Sequence, residues 1–213
     1  MSKENDTADL IIVANGAFPA SDRCRAMLSC AGTIVCCDGA ADKLTAAGFE
    51  PDLIIGDMDS LSVAKRTKWA NKMIRIEDQN SNDLSKAVHY CASIGHKNAV
   101  ILGATGLRED HTLGNISLML TYLPLMKVSI ESDYGSFFPV YSNKAVACSP
   151  GEQISIFSMD NRIKVSASGL KYPLDGLRLS HWYTASLNET TGEFFSLQFE
   201  SDTPLLVYRA LIP

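Results

Sequence analysis

From Leu10 to Asp133 short β-branched runs alternate with segments whose apolar residues recur every three or four positions. Residues 10–14, 33–37, 53–55, 74–76, 99–102 and 127–130 are the strand candidates, each bounded by polar or glycine-containing chain. Between them Leu84, Ala87, Val88 and Cys91 mark one apolar helix face, and Leu113, Ile116, Leu120 and Leu123 mark another. This is the rhythm of βαβ units, so residues 1–133 are predicted to form an α/β domain with a mostly parallel, Rossmann-like sheet covered by these helices.

After Asp133 the pattern changes to short alternating runs separated by turn signals: Ser149-Pro150-Gly151, Asp160-Asn161, Asp175-Gly176 and Thr190-Thr191-Gly192-Glu193. Segments 153–157, 162–165, 194–199 and 205–208 suit a small all-β sandwich, so residues 134–213 are expected to form a second domain. No internal repeat or low-complexity segment interrupts either pattern.

Composition narrows the classes. Hydrophobic residues at 46% and charged residues at 20% are ordinary for a folded protein and exclude a disordered or collagen-like chain. A formal net charge of −5 repels a phosphate backbone, so nucleic acid is not an expected partner. The apolar runs fall far short of the roughly 20 residues that span a bilayer. Residues 1–9 are polar and acidic, without the basic start and apolar centre of a secretion signal, and a cytoplasmic location is expected. The six cysteines lie mostly in apolar stretches, form no C-x-x-C pair, and read as buried thiols without chemistry.

The chemistry-bearing residues follow the strands. Ligands of an open α/β sheet bind beyond the carboxyl ends of its strands. There the chain places Asp38-Gly39, then Gly56-Asp57-Met58-Asp59-Ser60, then Glu77-Asp78. Two carboxylates about 4 Å apart repel by roughly 4 kcal/mol at an effective dielectric near 20, so such a cluster calls for a cation. Mg²⁺ suits hard oxygen ligands shared with phosphates and water. On an extended segment Asp57 and Asp59 would face one ligand while Met58 turns away, although each Asp taken alone also fits an ordinary turn. In Asn80-Ser81-Asn82-Asp83-Leu84 a helix cap and a metal ligand are both open readings of Asp83. The strand 99–102 runs into Gly103-Ala104-Thr105-Gly106-Leu107-Arg108-Glu109-Asp110-His111 and then a helix, an order suited to phosphate, with Arg108 as a planar cation. It is neither a Walker loop nor a G-x-G-x-x-G turn, and His111 and Asn115 share one helix face beside it.

Taken together, Asp38-Gly39-Ala40-Ala41, then Pro51-Asp52-Leu53-Ile54-Ile55-Gly56-Asp57-Met58-Asp59-Ser60, then Asp83-Leu84, then Arg108-x-Asp110-His111-Thr112 with Asn115 resemble the thiamine pyrophosphokinase family. The resemblance implies transfer of pyrophosphate from ATP to the hydroxyl of thiamine, giving thiamine diphosphate and AMP, with Mg²⁺ required. It implies a homodimer in which the β-sandwich of one subunit helps form the thiamine pocket. Carried over by motif, Asp57, Asp59 and Asp83 become the metal and catalytic carboxylates, with Asp59 or Asp83 as proton acceptor. Asp38, Gly39, Asp110, His111 and Asn115 line the nucleotide site, and Arg108 binds phosphate. In the second domain Ser186 and Asn188 are the expected thiamine contacts, and Tyr172 or Trp182 the expected stacking partner.

The chain departs from the family pattern at Asn80 and Asn82, where an acidic residue and a Thr are common, at Leu107, which replaces a glycine, and at Leu187, which replaces a serine. Two other readings are open. The Asp57-Met58-Asp59 run resembles the Asp-x-Asp motif of haloacid-dehalogenase-type phosphatases, in which the first Asp is a nucleophile. A nucleotide- or thiamine-binding regulatory module would keep the fold without turnover.

Overall fold

The structure is a computed structural model that describes residues 8–59, 61 and 63–211. The chain divides into two compact units, Met1–Asp133 and Tyr134–Pro213.

In the first unit the strands are β1 (Leu10–Val13), β2 (Thr33–Cys37), β3 (Leu53–Gly56), β4 (Met73–Arg75), β5 (Asn98–Leu102) and β6 (Lys127–Glu131). They pair in parallel in the order β4-β3-β2-β1-β5-β6. The helices are α1 (Asp22–Ser29), α2 (Ala40–Ala46), α3 (Val63–Lys68), α4 (Asp83–Ser93) and α5 (Glu109–Tyr122). All four residues of β1 are buried, as are the last four of β2, which is why these strands read as continuous apolar runs rather than alternating ones. Local signals set the helix starts: Ser21 caps α1 by accepting from Cys24 N, and Asn82 caps α4 by accepting from Ser85 N. Strand order reverses at β1, with β2 on one side and β5 on the other, and such a reversal opens a crevice at the carboxyl ends.

The second unit contains β7 (Gly135–Val140), β8 (Ala145–Ala147), β9 (Gln153–Phe157), β10 (Lys164–Ser168), β11 (Leu177–Arg178), β12 (Ala185–Glu189), β13 (Phe194–Gln198) and β14 (Leu205–Ala210). Its pairings are antiparallel, in the orders β12-β9-β14-β7 and β11-β10-β13-β8. Ile154, Ile156 and Val207 from the first set share a core with Val165, Phe195 and Leu197 from the second.

The pairings among the six strands of the first unit are all parallel, as expected, and those of the second unit are antiparallel. Two expectations are corrected. On α5 the buried stripe is Asn115, Ile116, Met119 and Tyr122, with Leu113 exposed, because the Asn115 amide and the Tyr122 hydroxyl find partners inside. Among the cysteines Cys24, Cys36, Cys37 and Cys91 are buried, and burial pushes their thiols up, but Cys30 is exposed and Cys148 half-buried.

Candidate active site

A cavity of about 490 Å³ lies at the strand reversal, lined by residues 14–16 after β1, by Asp57, by the loop and helix around 78–86, and by 104–115. The turns after β1 and β5 are joined backbone to backbone: Ala14 N donates to Leu102 O at 2.8 Å, Gly16 N to Gly103 O at 2.7 Å and Ala17 N to Thr105 O at 2.8 Å. That approach requires glycine at position 16, where a Cβ would lie 2.4 Å from Gly103 O. Lys43 on α2 donates its Nζ to Asn15 O and Gly16 O, each at 2.8 Å, and burial holds its pKa below the usual lysine value. The wall of the cavity that follows β1 is thus held from two sides.

The acidic residues do not converge as an extended strand would bring them. Asp38 is buried at the end of β2 with φ +36, and Gly39 starts α2; neither belongs to the cavity lining. A Cβ on Gly56 would lie 2.9 Å from Asp38 Cβ and 3.4 Å from Asp83 Cγ, so the glycine after Ile55 lets these two acidic side chains approach the end of β3. Asp57 lines the cavity, and its Oδ1 accepts from Asp59 N at 3.1 Å. Met58 has φ +69 and is buried, so the chain leaves the extended conformation between the two carboxylates. Asp59 is exposed and outside the lining. Asp83 lines the cavity with Asp78, which the sequence placed in the acidic cluster at the strand ends. Asp78 is held below the usual carboxylate range, first by the Ser81 hydroxyl and then by Asn80 N.

Lys86, missed in the sequence reading, stands among these carboxylates. Its side chain is 4% exposed, and Nζ donates to Asp83 Oδ1 at 3.0 Å. Burial opposes its charge, yet Asp83, Asp57 and Asp78 together hold its pKa above the ordinary value. The available signal was a lysine three residues after Asp83 on an otherwise apolar helix face.

The opposite wall is the turn before α5. Arg108 sits at the helix N-cap without capping it and forks onto Asp110, with Nε donating to Oδ1 at 3.0 Å and Nη2 to Oδ2. These bonds hold the Asp110 carboxyl down at about 2, and Asp110 also accepts from His111 N at 2.9 Å. Arg108, His111 and Asn115 line the cavity, whereas Asp110 does not. Leu107 has φ +67 and is 70% exposed, so the left-handed conformation that suits glycine is kept by a leucine.

In the second unit the expected contacts form a local group. Asn188 is buried; its Oδ1 accepts from Tyr172 N at 3.0 Å and Glu189 N at 2.9 Å, and its Nδ2 donates to Tyr172 O at 2.8 Å. Ser186 Oγ donates to Tyr183 O at 2.7 Å. The Tyr172 ring is exposed, while Trp182 packs edge-on against Phe157 at 5.9 Å between ring centroids. Asn188 and Ser186 therefore fix backbone here, and the Tyr172 side chain is exposed with Lys171 Nζ 5.8 Å from its ring centroid.

Comparison with known proteins covers both units. The family model for the thiamin pyrophosphokinase catalytic domain matches residues 24–130, and that for the thiamin pyrophosphokinase substrate-binding domain matches residues 135–208. Thiamin pyrophosphokinase 1 of Caenorhabditis elegans is 28% identical over 236 residues, covering 97% of this chain and 94% of its own. The crystal structure of thiamine pyrophosphokinase from Bacillus subtilis shares the fold at TM-score 0.77 and 22% identity, covering 96% of this chain and 99% of its own. That of yeast thiamin pyrophosphokinase does so at TM-score 0.79 and 17% identity, covering 98% and 88%.

Proposed function

The chain belongs to the thiamin pyrophosphokinase family, and from that premise we propose that it transfers the pyrophosphoryl group of ATP to the hydroxyl of thiamine, giving thiamine diphosphate and AMP. The observation that carries this reading is the cavity at the strand reversal, where Asp57, Asp78, Asp83 and Lys86 face the turn that carries Arg108 and leads into α5. Phosphates suit that turn because the first N–H groups of a helix lack intrahelical partners and Arg presents a planar donor fork. Arg108 exchanges part of its pairing with Asp110 for phosphate oxygens. His111 and Asn115 complete that wall, and Asp38 and Gly39, at the end of β2, lie outside the lining on the side of β3.

The thiamine oxygen attacks the β-phosphorus in line; the new bond is O–Pβ, and the bond broken joins Pβ to the oxygen that leaves with AMP. The hydroxyl proton goes to a carboxylate. Asp83 is favoured over Asp59 because it lines the cavity, and Oδ2 is the accepting atom because Oδ1 is held by Lys86. Lys86 keeps a positive charge beside the phosphates at no cost of reorganisation. Acidic surroundings also attract the cationic thiazolium of thiamine. Tyr172 is the proposed stacking partner, with Ser186 and Asn188 beside it.

Asp57 and Asp83 line the cavity with hard carboxylate oxygens, whereas Asp59, expected as a third ligand, lies outside the lining. Two carboxylates fit Mg²⁺ shared with substrate phosphates and water. When bound, Mg²⁺ would supply neutralisation of the triphosphate charge. We read the enzyme as a cytoplasmic homodimer; no helix among the described residues is long and apolar enough to cross a membrane.

The test is to incubate the purified protein with ATP, Mg²⁺ and thiamine and to separate the products. AMP and thiamine diphosphate in equal amounts are expected. Phosphate or ADP without thiamine diphosphate would support the phosphatase reading, and binding without turnover the regulatory module. Sedimentation equilibrium at micromolar protein should give twice the chain mass, and a monomer at that concentration rejects the dimer.

A further inference from the structure

We propose that Asn82 and Asn115 form a side-chain amide relay that sets the phosphate-facing turn against the carboxylate-bearing helix, and that Asn115 serves the reaction through this relay instead of contacting the nucleotide. The proposal rests on the pyrophosphoryl-transfer reading and assigns the site two positioning residues.

Asn82 is the N-cap of α4, with Oδ1 accepting from Ser85 N at 2.8 Å. That role leaves Nδ2 to reach across to α5, where it donates to Asn115 Oδ1 at 3.1 Å. Asn115 is 8% exposed, and its own Nδ2 donates to Ala104 O at 2.8 Å. Backbone groups at the two ends fix the polarity of the chain: Ser85 N–H needs an acceptor and the Ala104 carbonyl needs a donor. The middle link must then run from the Asn82 amide nitrogen to the Asn115 amide oxygen. A side chain with both a donor and an acceptor at this reach completes each position; a carboxylate at either one cannot.

The relay joins parts that the proposed chemistry requires in register. Asn82 precedes Asp83 directly and lies one helical turn before Lys86. Ala104 is itself buried, next to Gly103, where a Cβ would come within 2.6 Å of Ala14 O, so its carbonyl is a fixed point of the turn. A second buried bond between the same helices, Ser85 Oγ to the Tyr122 hydroxyl at 2.8 Å, pins α4 to α5 farther along. With both links in place, α4, which carries Asp83 and Lys86, is tied through α5 to the turn that carries Arg108.

The variants Asn82→Thr, Asn115→Leu and their combination separate the roles, with kcat, the KM for ATP and the thermal midpoint read for each. Thr keeps an N-cap oxygen but ends one bond short of the amide nitrogen. Asn82→Thr should therefore hold the midpoint near wild type while kcat falls about tenfold and the KM for ATP stays within about twofold, as expected for lost alignment. Asn115→Leu should lower kcat by a similar factor, and the double variant by about tenfold again overall, not a hundredfold, because both changes cut one chain. Should Asn115→Leu fail to fold, Asn82→Asp provides the second test, since it caps but cannot donate to Asn115 and should show the same loss. Multiplying effects, or an unchanged Asn82→Thr beside an Asn115→Leu whose only change is a raised KM for ATP, would overturn the relay. Amide hydrogen exchange over residues 104–108 reads the relay without catalysis: it should quicken about tenfold in Asn82→Thr, and unchanged exchange rejects the proposal. A wild-type protein that forms no thiamine diphosphate would instead reject the enzymatic reading.

Discussion

Replacing Lys86 by Met keeps an unbranched side chain in the same groove and removes only the charge, so it isolates what the ammonium does. At 3.0 Å from Asp83 Oδ1, two unit charges attract by roughly 5–6 kcal/mol at an effective dielectric near 20. Most of that is offset by the desolvation of an ammonium whose side chain is 4% exposed. Removing one partner of a fully buried pair costs about 3–5 kcal/mol. The Asp83 side chain keeps 34% exposure, and water screens it once the lysine is gone, so a loss nearer ~1–3 kcal/mol is expected. Urea denaturation in the presence of a chelator measures this directly. Mg²⁺ supplies the sign of the effect: with Asp57, Asp78 and Asp83 no longer neutralised, the variant should bind the cation more tightly, and a tenfold gain in affinity would return about 1.4 kcal/mol at saturation. Turnover should still fall by about a hundredfold, since a cation replaced by a methyl group cannot meet charge developing on the transferred group. A Lys86→Met protein as stable as wild type, with an unchanged response to Mg²⁺, would refute the view that Lys86 holds the carboxylates together.

Asp133 accepts from Ala20 N and Ser21 N; burial raises its pKa but these bonds outweigh that, leaving it below 3.8 in the folded protein. A depressed folded value gives stability that is complete above the unfolded pKa and is lost as pH falls through the folded one. Asp133→Asn should thus cost about 1 kcal/mol at neutral pH, with the difference in thermal midpoint closing below pH ~4; a difference that persists unchanged to pH 3 counts against it. Leu107→Gly relieves a left-handed residue worth about 1–2 kcal/mol but adds about 0.5–1 kcal/mol of unfolded-state entropy, so a net gain of about 0.5–1 kcal/mol is expected in thermal unfolding, and a loss would deny the strain. Tyr172→Ala should raise the KM for thiamine about tenfold or more with the KM for ATP nearly unchanged, and an unchanged thiamine value removes Tyr172 as the stacking ring.

What could be read from the chain, and what could not, divides along one physical line. The strands of the first unit were legible to within a residue or two because β1, β2 and β3 are buried on both faces and show as continuous apolar runs. The shift of one residue at β4 belongs to an edge strand of three partly exposed residues, where burial exerts little selection on the pattern. β12 reads Ala-Ser-Leu-Asn-Glu and slips register against β9, with Leu187 at φ +56, so no alternation marks it. In the site, Asp57, Asp83, Arg108 and His111 line the cavity because strand ends and helix starts are set locally. Asp59 lies outside the lining because the positive φ of Met58 breaks the period of two that would have turned it the same way as Asp57. Lys86, and the link from Asn82 to Asn115, left only faint traces, because their meaning arises when α4 meets the end of β3 and the turn before α5. A lysine on an apolar face and an asparagine at a helix start each have an ordinary local explanation, and only the fold brings the first beside Asp83 and the second against Asn115. Residues whose function depends on such meetings are the ones for which variants, rather than motifs, are the decisive test.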